Sequence, residues 1–465
     1  MELAKLKNKD QVPFAAAPLN DKQVPHSDPG RYRPRRITRI VSSRLTITLV
    51  SLIILIIGAA FLGQRFLGTP ATAVNSIQTA PKPDKARWLP PPYTDQQINE
   101  LHHLADYFRY QQLASLDVSR MTLDQEIGQV IMVGYQAPSY STELDTMIHG
   151  LYAGGVILYQ RQINTYAQTR QDIAHMQSRA NFPLLISADE EGWNVHRLTN
   201  IYPPRLSASD IGASGNTAVA TKEGQRVAHD LLSLGFNTNF APDVDVSSVN
   251  DYIGYDARSF GSTAQNVIKY VGPYTKAMQS NGVIATMKHF PGLGSAPRAT
   301  DPHAVFVTIP HTRQQVYTID LAPFNYFIHA SAKDEQPGII MATDELVPSI
   351  DPTYIAELSY TFITKILRQQ MGYDGVVITD DLTMGGVQVN GQHLTLAQAA
   401  VLALQAGNDM LLGPSDVPSM QTMINAIKVA LNNGTLSKTR LDEAARRILT
   451  LKIEHHLIPA IPPQS

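Results

Sequence analysis

"GVVITDD", residues 375–381, is the stretch on which the fold turns. Val376, Val377 and Ile378 follow a glycine without polar alternation, and the run closes on two carboxylates, Asp380 and Asp381. A strand with one wet face alternates; a run apolar throughout belongs in a parallel sheet covered on both sides. The same signature recurs in "QVIMVG" (129–134), "GGVILY" (154–159), "PLLISAD" (183–189), "FNTNFAP" (236–242), "VIATMKHF" (283–290), "GIIMAT" (338–343) and "DMLL" (409–412). Between the runs lie helix-length segments such as "VAHDLLSLG" (227–235) and "FITKILRQQMG" (362–372). This alternation predicts an α/β protein, a single (β/α)8 TIM-type barrel. A doubly wound open sheet is the alternative, because alternation alone does not close a barrel.

Such barrels carry their active sites at the carboxyl ends of the strands. Several runs end there in charged or ring-bearing residues: Asp189, Lys288 with His289, Asp344, and Asp380 with Asp381. One loop stands out, "MKHFPGLGSAPRATDPHAV" (287–305), which places Asp301 and His303 one residue apart after glycine-punctuated turns. Reactive groups are commonly held on loops of this kind above a rigid scaffold.

Composition narrows the function classes. With 43% hydrophobic and 17% charged residues the chain is globular in type, and a net charge of -2 gives no support to a nucleic-acid partner. The absence of cysteine excludes disulfides, thiolate catalysis, thiolate metal sites and a lipidated cysteine.

The amino-terminal region has its own logic. Residues 1–43 read as a disordered basic tail, and 44–65 as a transmembrane anchor built on "LTITLVSLIILIIGAAFLGQ" (45–64), a run without charge and long enough to span a bilayer. Arg31, Arg33, Arg35, Arg36, Arg39 and Arg44 precede it while Arg65 alone follows closely, so the tail is expected in the cytoplasm and the remainder outside the cell membrane. A cleaved signal peptide, with "ATA" (71–73) as the cleavage pattern, is the rival reading; the length of the apolar run favours a retained anchor. Residues 66–95 read as a proline-rich linker, and 96–465 as the catalytic barrel.

Within that barrel the sequence resembles glycoside hydrolase family 3. "ILRQQMGYDGVVITDDLTMGGV" (366–387) resembles the family's nucleophile signature and "KHFPG" (288–292) its substrate-binding strand. "AGGVILY" (153–159), "ADEEG" (188–192), "NFAPDVDV" (239–246), "ARSFG" (257–261), "GNDMLL" (407–412) and "RLDEAARRILTLK" (440–452) agree in order. The likeness is greatest to the bacterial β-N-acetylhexosaminidase branch, whose barrel often stands alone as a single catalytic domain.

The resemblance implies an exo-acting, retaining hydrolase that removes terminal β-linked N-acetylglucosamine from cell-wall or chitin-derived sugars, as a monomer and without metal or organic cofactor. Asp380 would be the nucleophile, His303 the acid/base and Asp301 the group orienting its ring. Imidazole titrates near neutrality, and a paired carboxylate fixes one tautomer. Asp381, facing the other side of its strand, would anchor the loop. Asp189, Arg197, Arg258, Lys288 and His289 are the expected sugar-binding groups. The chain departs from the branch at Leu293, where histidine is usual, in the longer loop "SAPRAT" (295–300), and at Trp193 and Asn194, where glycine and arginine are usual. Trp193 is read either as a stacking face for a sugar or as a ring packed under its loop.

Rival readings stay open. A solvated loop histidine is the bland alternative for His303, with Asp344 or Glu345 then supplying the acid. His289, Asp301 and His303, with Asp243 and Asp245, would be ligands in a barrel metallohydrolase. A β-glucosidase or other exo-glycosidase of the family, transfer to phosphate in place of water, and a silent wall-binding barrel complete the set.

Overall fold

The computed structural model describes residues 106–460, together with Thr94, Gln97 and Leu101, and these belong to one compact unit. The predicted tail (1–43), anchor (44–65) and, Thr94 apart, linker (66–95) lie outside the described residues. Among the described residues no helix is long and apolar enough to cross a membrane.

Each of the eight apolar runs contains one strand: β1 (Ile131–Val133), β2 (Gly155–Ile157), β3 (Leu185–Ala188), β4 (Thr238–Asn239), β5 (Ile284–Phe290), β6 (Ile339–Ala342), β7 (Val376–Asp381) and β8 (Met410–Leu412). Successive strands pair in parallel, and β8 returns to β1 through Ile131↔Leu411 and Met132↔Leu412. That last pairing closes the barrel and removes the open-sheet alternative. β1 to β3, β5 and β6 are buried along their whole length, as continuous apolar runs require.

Helices cover the outside because their apolar residues fall on one face. Thr217–Leu234 buries Ala220, Val227, Leu231 and Leu234, starts on the side chain of Asn216, which accepts from the Ala218 amide, and stops at Gly235 with φ 100°. The last helix, Lys438–Glu454, packs Ala445, Leu449 and Ile453 against Leu113 and Val118 of the helix Asp106–Val118.

Two irregularities prepare the site. The β5–β6 register shifts between Met287 and Phe290, and the β7–β8 register shifts between Ile378 and Asp381. Such shifts break strict alternation and re-aim side chains, here at Lys288, His289, Asp380 and Asp381.

At the opposite, amino end, Asp409 just before β8 is fully buried. Its carboxylate accepts from Arg368 (2.5 Å), Arg440 (2.8 Å), Arg447 (3.3 Å) and the Val377 amide (3.0 Å). Burial raises its pKa, but the three guanidinium groups outweigh burial and hold it below the usual carboxylate range. Nearby, the buried Lys452 ammonium donates to Gln129 Oε1 (2.8 Å) and the Gly154 carbonyl (3.0 Å).

Candidate active site

The polar residues at the carboxyl ends of β3, β4 and β5 form one connected cluster. Lys288 Nζ lies 2.9 Å from Asp189 Oδ1 and 2.7 Å from Glu191 Oε1. Arg258, from the loop after β4, grips Glu191 with two hydrogen bonds, Nε to Oε2 at 2.8 Å and Nη2 to Oε1 at 2.9 Å. A fork onto a carboxylate fixes orientation as well as charge. Glu191 is thus the hub shared by both cations. Burial raises its pKa, yet Arg258 and Lys288 overcome this and hold it far below the usual range. The same carboxylates, against the effect of burial, push Lys288 up to about 12. Arg197 stands at the edge, 3.5 Å from Asp189 Oδ2.

His289 is buried in this cluster as a neutral ring. Burial drives its pKa down to about 4, so at pH 7 it carries one proton. Arg258 Nη2 donates to Nε2 at 3.2 Å, which places that proton on Nδ1, 2.7 Å from Asp245 Oδ2. Asp245 in turn accepts from the Leu293 amide at 2.7 Å, and its pKa is pushed up to about 7 by burial. Asp243 is buried beside it with one carboxylate oxygen unpartnered, and burial and the Asp245 charge raise it well above the usual range.

Asp243, Asp245 and His289 have ligand atoms within 4.8 Å of one another, so they are the part of the metallohydrolase reading that the fold gathers. Both His289 nitrogens are already engaged, and the Arg258 guanidinium lies 3.8 Å from Asp243. In this structure the charge of the trio is met by Arg258 and its imidazole by Asp245 and Arg258. Asp301 and His303 sit apart from this trio, bonded to each other.

Asp380 rises from the end of β7, partly open to solvent. Its Oδ2 accepts from Thr343 Oγ1 at 3.1 Å, its Oδ1 from the Asp381 amide at 2.9 Å, and its own amide donates to Glu357 Oε2 at 3.1 Å. Asp381 is occupied otherwise: its Oδ1 takes the amide and hydroxyl of Thr383 at 2.9 and 2.6 Å, and so it ties down the loop. Asp344, Glu345 and Glu357 are fully buried near Asp380, and burial first, then neighbouring acids, raises all three well above the carboxylate range. Asp344 and Glu357 face the nucleophile candidate, and burial removes Asp344 and Glu345 from the role of a solvent-reaching acid.

The Asp301–His303 pair lies on the loop after β5. His303 Nδ1 is 2.8 Å from Asp301 Oδ1, and the His303 side chain is 67% exposed. The loop's backbone is fastened to the loop after β7: Gly385 N donates to the His303 carbonyl at 3.0 Å and Gly386 N to the Pro302 carbonyl at 3.1 Å. Glycine is required for that approach, since a Cβ on Gly385 would come 2.8 Å from the Ala304 backbone and one on Gly386 2.0 Å from Asp344 Oδ2. On the other side Tyr252 donates its hydroxyl to Asp301 Oδ1 at 3.2 Å. Burial, which raises Asp301, is outweighed by the hydrogen bonds from His303 and Tyr252, which keep its carboxyl below the usual range.

The long segment 295–300 explains how Tyr252 arrives there. Asp251 bridges to Pro297, the Tyr252 amide bonds the Ala296 carbonyl at 2.9 Å, and the Arg298 guanidinium lies 3.4 Å from the centre of the Tyr255 ring. The extra residues zip the β5 loop to the β4 loop.

The family model for the glycosyl hydrolase family 3 N terminal domain matches residues 122–451. The chain belongs to glycosyl hydrolase family 3. Within that family it is 30% identical over 353 residues to an uncharacterized secreted glycosyl hydrolase of Arthroderma benhamiae, covering 74% of this chain and 97% of the relative. It is 30% identical to β-hexosaminidase A of Pseudoalteromonas piscicida, covering 67% of this chain but only 55% of that protein. A family 3 β-N-acetylglucosaminidase from Paenibacillus sp. superposes with a TM-score of 0.67 at 32% identity, over 72% of this chain and 63% of the other.

Set against this geometry, the sequence-based candidates fall into two groups. Asp189, Arg258, Lys288 and His289 share one cluster with Arg197 at its edge, while Asp380 ends strand β7 and the loop that follows it bonds to the loop of the Asp301–His303 pair. Glu191, Thr343, Glu357 and Tyr252 are absent from the sequence-based candidates, and Asp245 is among them only as a metal ligand. The run "ADEEG" offered Glu191 in plain view, whereas Tyr252 reaches Asp301 from another loop and leaves no local signal.

Proposed function

We propose that the protein is an exo-acting, retaining β-N-acetylglucosaminidase that removes terminal N-acetylglucosamine from cell-wall or chitin-derived sugars. The observation that carries this reading is the attachment of the Asp301–His303 loop to the loop that follows Asp380. It ties the loop bearing a hydrogen-bonded imidazole to the loop that follows a partly open carboxylate at the end of β7. The hexosaminidase names among the relatives agree with it.

In this mechanism the Lys288, Glu191, Arg258 and His289 cluster receives the terminal sugar's hydroxyls through convergent donors and acceptors. Asp380, steadied by Thr343 and by the Asp381 amide, attacks C1. His303 protonates the departing glycosidic oxygen, and the C1–O bond breaks as the Asp380–C1 bond forms. Water then gives its proton to His303 and its oxygen to C1, releasing Asp380. Asp301 accepts the Nδ1 proton, which leaves Nε2 to exchange protons with substrate. Burial and the Asp380 charge raise the neighbouring acids Asp344 and Glu357, which favours Asp380 as the ionised member of the group.

We also propose that the barrel works outside the cell as a monomer, held to the membrane through residues 45–64.

The test sets nitrophenyl β-N-acetylglucosaminide beside nitrophenyl β-glucoside, with and without phosphate. Preference for the acetamido sugar, in water, is expected. Activity confined to the glucoside moves the protein to another family specificity, phosphate-dependent turnover makes it a phosphorylase, and inertness toward both withdraws the glycosidase reading.

A further inference from the structure

We propose that Trp193 is a stacking platform for the sugar on the leaving-group side of the scissile bond, making the protein selective for oligosaccharides over single-sugar glycosides. The proposal rests on the glycosidase reading above and adds a second binding position to it.

Trp193 occupies the tip of a hairpin formed by Glu190–Gly192 and Val195–His196, with Gly192 paired to Val195. Its φ of 47° lies in the left-handed region that residues with a bulky side chain avoid. The residue is 57% exposed, so the reading that packs it under its loop is overturned. Neither core burial nor conformational ease accounts for a tryptophan here, and a residue held in an unfavourable backbone region beside a site points toward function.

The hairpin beneath the ring is rigid. Glu190 is fully buried and receives His196 Nδ1 and Arg205 Nε, each at 2.5 Å, and the amides of Arg197 (2.9 Å) and Leu198 (3.2 Å). Asn239 of β4 clamps the Glu190 backbone from both sides, at 3.0 and 3.1 Å. Next along the chain, Glu191 turns into the sugar cluster, where it binds Lys288 and Arg258. Two residues on, the Trp193 Cα lies within about 7.6 Å of the Glu191 Cα by chain geometry. A flat apolar face set this close outside a pocket of hydroxyl-binding groups suits the C–H face of a second pyranose. Arg197, at the base of the same hairpin, reaches Asp189 and marks the inner rim.

The experiment uses full-length protein and two donors, chitotriose and N-acetylglucosaminyl fluoride, the second having no leaving-group sugar. Trp193→Ala is expected to lower the chitotriose-to-fluoride ratio of kcat/KM by about tenfold, with Trp193→Phe keeping most of the ratio. Trp193→Gly is expected to raise Tm while losing the same selectivity, because it relieves the left-handed backbone. A ratio unmoved in Trp193→Ala overturns the proposal. Since the chain has two tryptophans, Trp88→Phe combined with Asp380→Ala leaves Trp193 as the sole indole reporter in a protein that does not consume the ligand. Quenching or a shift of its emission by chitotriose is expected, and unchanged emission at saturating chitotriose overturns the proposal even if the wild type proves inert on both donors. That inertness, with the emission change present, defeats the hydrolase reading alone.

Discussion

The barrel carries buried charge at both ends, and the two ends treat it oppositely. At the amino end Asp409 is saturated, with three guanidinium groups and an amide on its two oxygens. At the carboxyl end Asp243, Asp344, Glu345 and Glu357 keep buried oxygens without a partner. A saturated carboxylate gives structure and keeps no free oxygen, although Arg368 Nε and Arg440 Nη1 beside it lack a hydrogen bond; an unsaturated one keeps oxygens that folding did not use. The difference lies in the supply of cations. Arg368, Arg440 and Arg447 converge on one acid, whereas Lys288 and Arg258 are shared among Asp189, Glu191 and Asp243.

The contrast breaks most sharply at Asp380. Asp380→Ala is expected to reduce kcat by roughly a thousandfold or more while thermal unfolding stays near that of the wild type, since the residue uses only partly buried bonds. Retained activity would end its assignment as nucleophile. The counterpart at the saturated end is Asp409→Ala, which strands three arginines; unfolding in denaturant should show a loss of about 3–5 kcal/mol with kcat of the surviving folded fraction little changed.

Lys452 is the exception that sharpens the comparison. Its partners are neutral oxygens, which satisfy hydrogen bonds but not charge, and burial pushes its pKa down to about 7. The unfolded chain keeps the proton up to the ordinary value of 10.5, so this group makes the native state gain stability as pH rises from 7 toward 10.5. Lys452→Met should remove a slope of at most about 1.4 kcal/mol per pH unit over that window, read as wild type minus variant in denaturant unfolding. Parallel curves would mean that the ammonium stays charged.

The smallest effect is expected at Tyr252. Tyr252→Phe deletes one hydrogen bond to Asp301, and turnover of substrates with poor leaving groups should fall about fivefold, with activated substrates less affected. An equal fall on both kinds would show that Tyr252 supports the loop and not the orientation of His303.

Much of this was readable before the fold. All eight strands lie inside the apolar runs, because strands buried on both faces need unbroken β-branched apolar sequence, and that requirement is local. Asp380 and Lys288 were equally accessible, since their place at strand ends follows from the same runs. The cradle around them was not. Tyr252 and Arg298 acquire meaning only when two loops zip together, and Glu357 only when the segment after β6 folds back under Asp380. Even Trp193, singled out in sequence, had two readings until its exposure and backbone angle separated them.

The paired glycines at 385 and 386 carry one more consequence. Their amides grip the carbonyls of His303 and Pro302, so the loop bearing the candidate acid/base is latched to the loop following the candidate nucleophile. Solvent can reach those two amides for exchange only when the latch lets go. The protection of Gly385 and Gly386 against deuterium therefore counts how often the two loops part, and a sugar bound at the barrel mouth is expected to change that count.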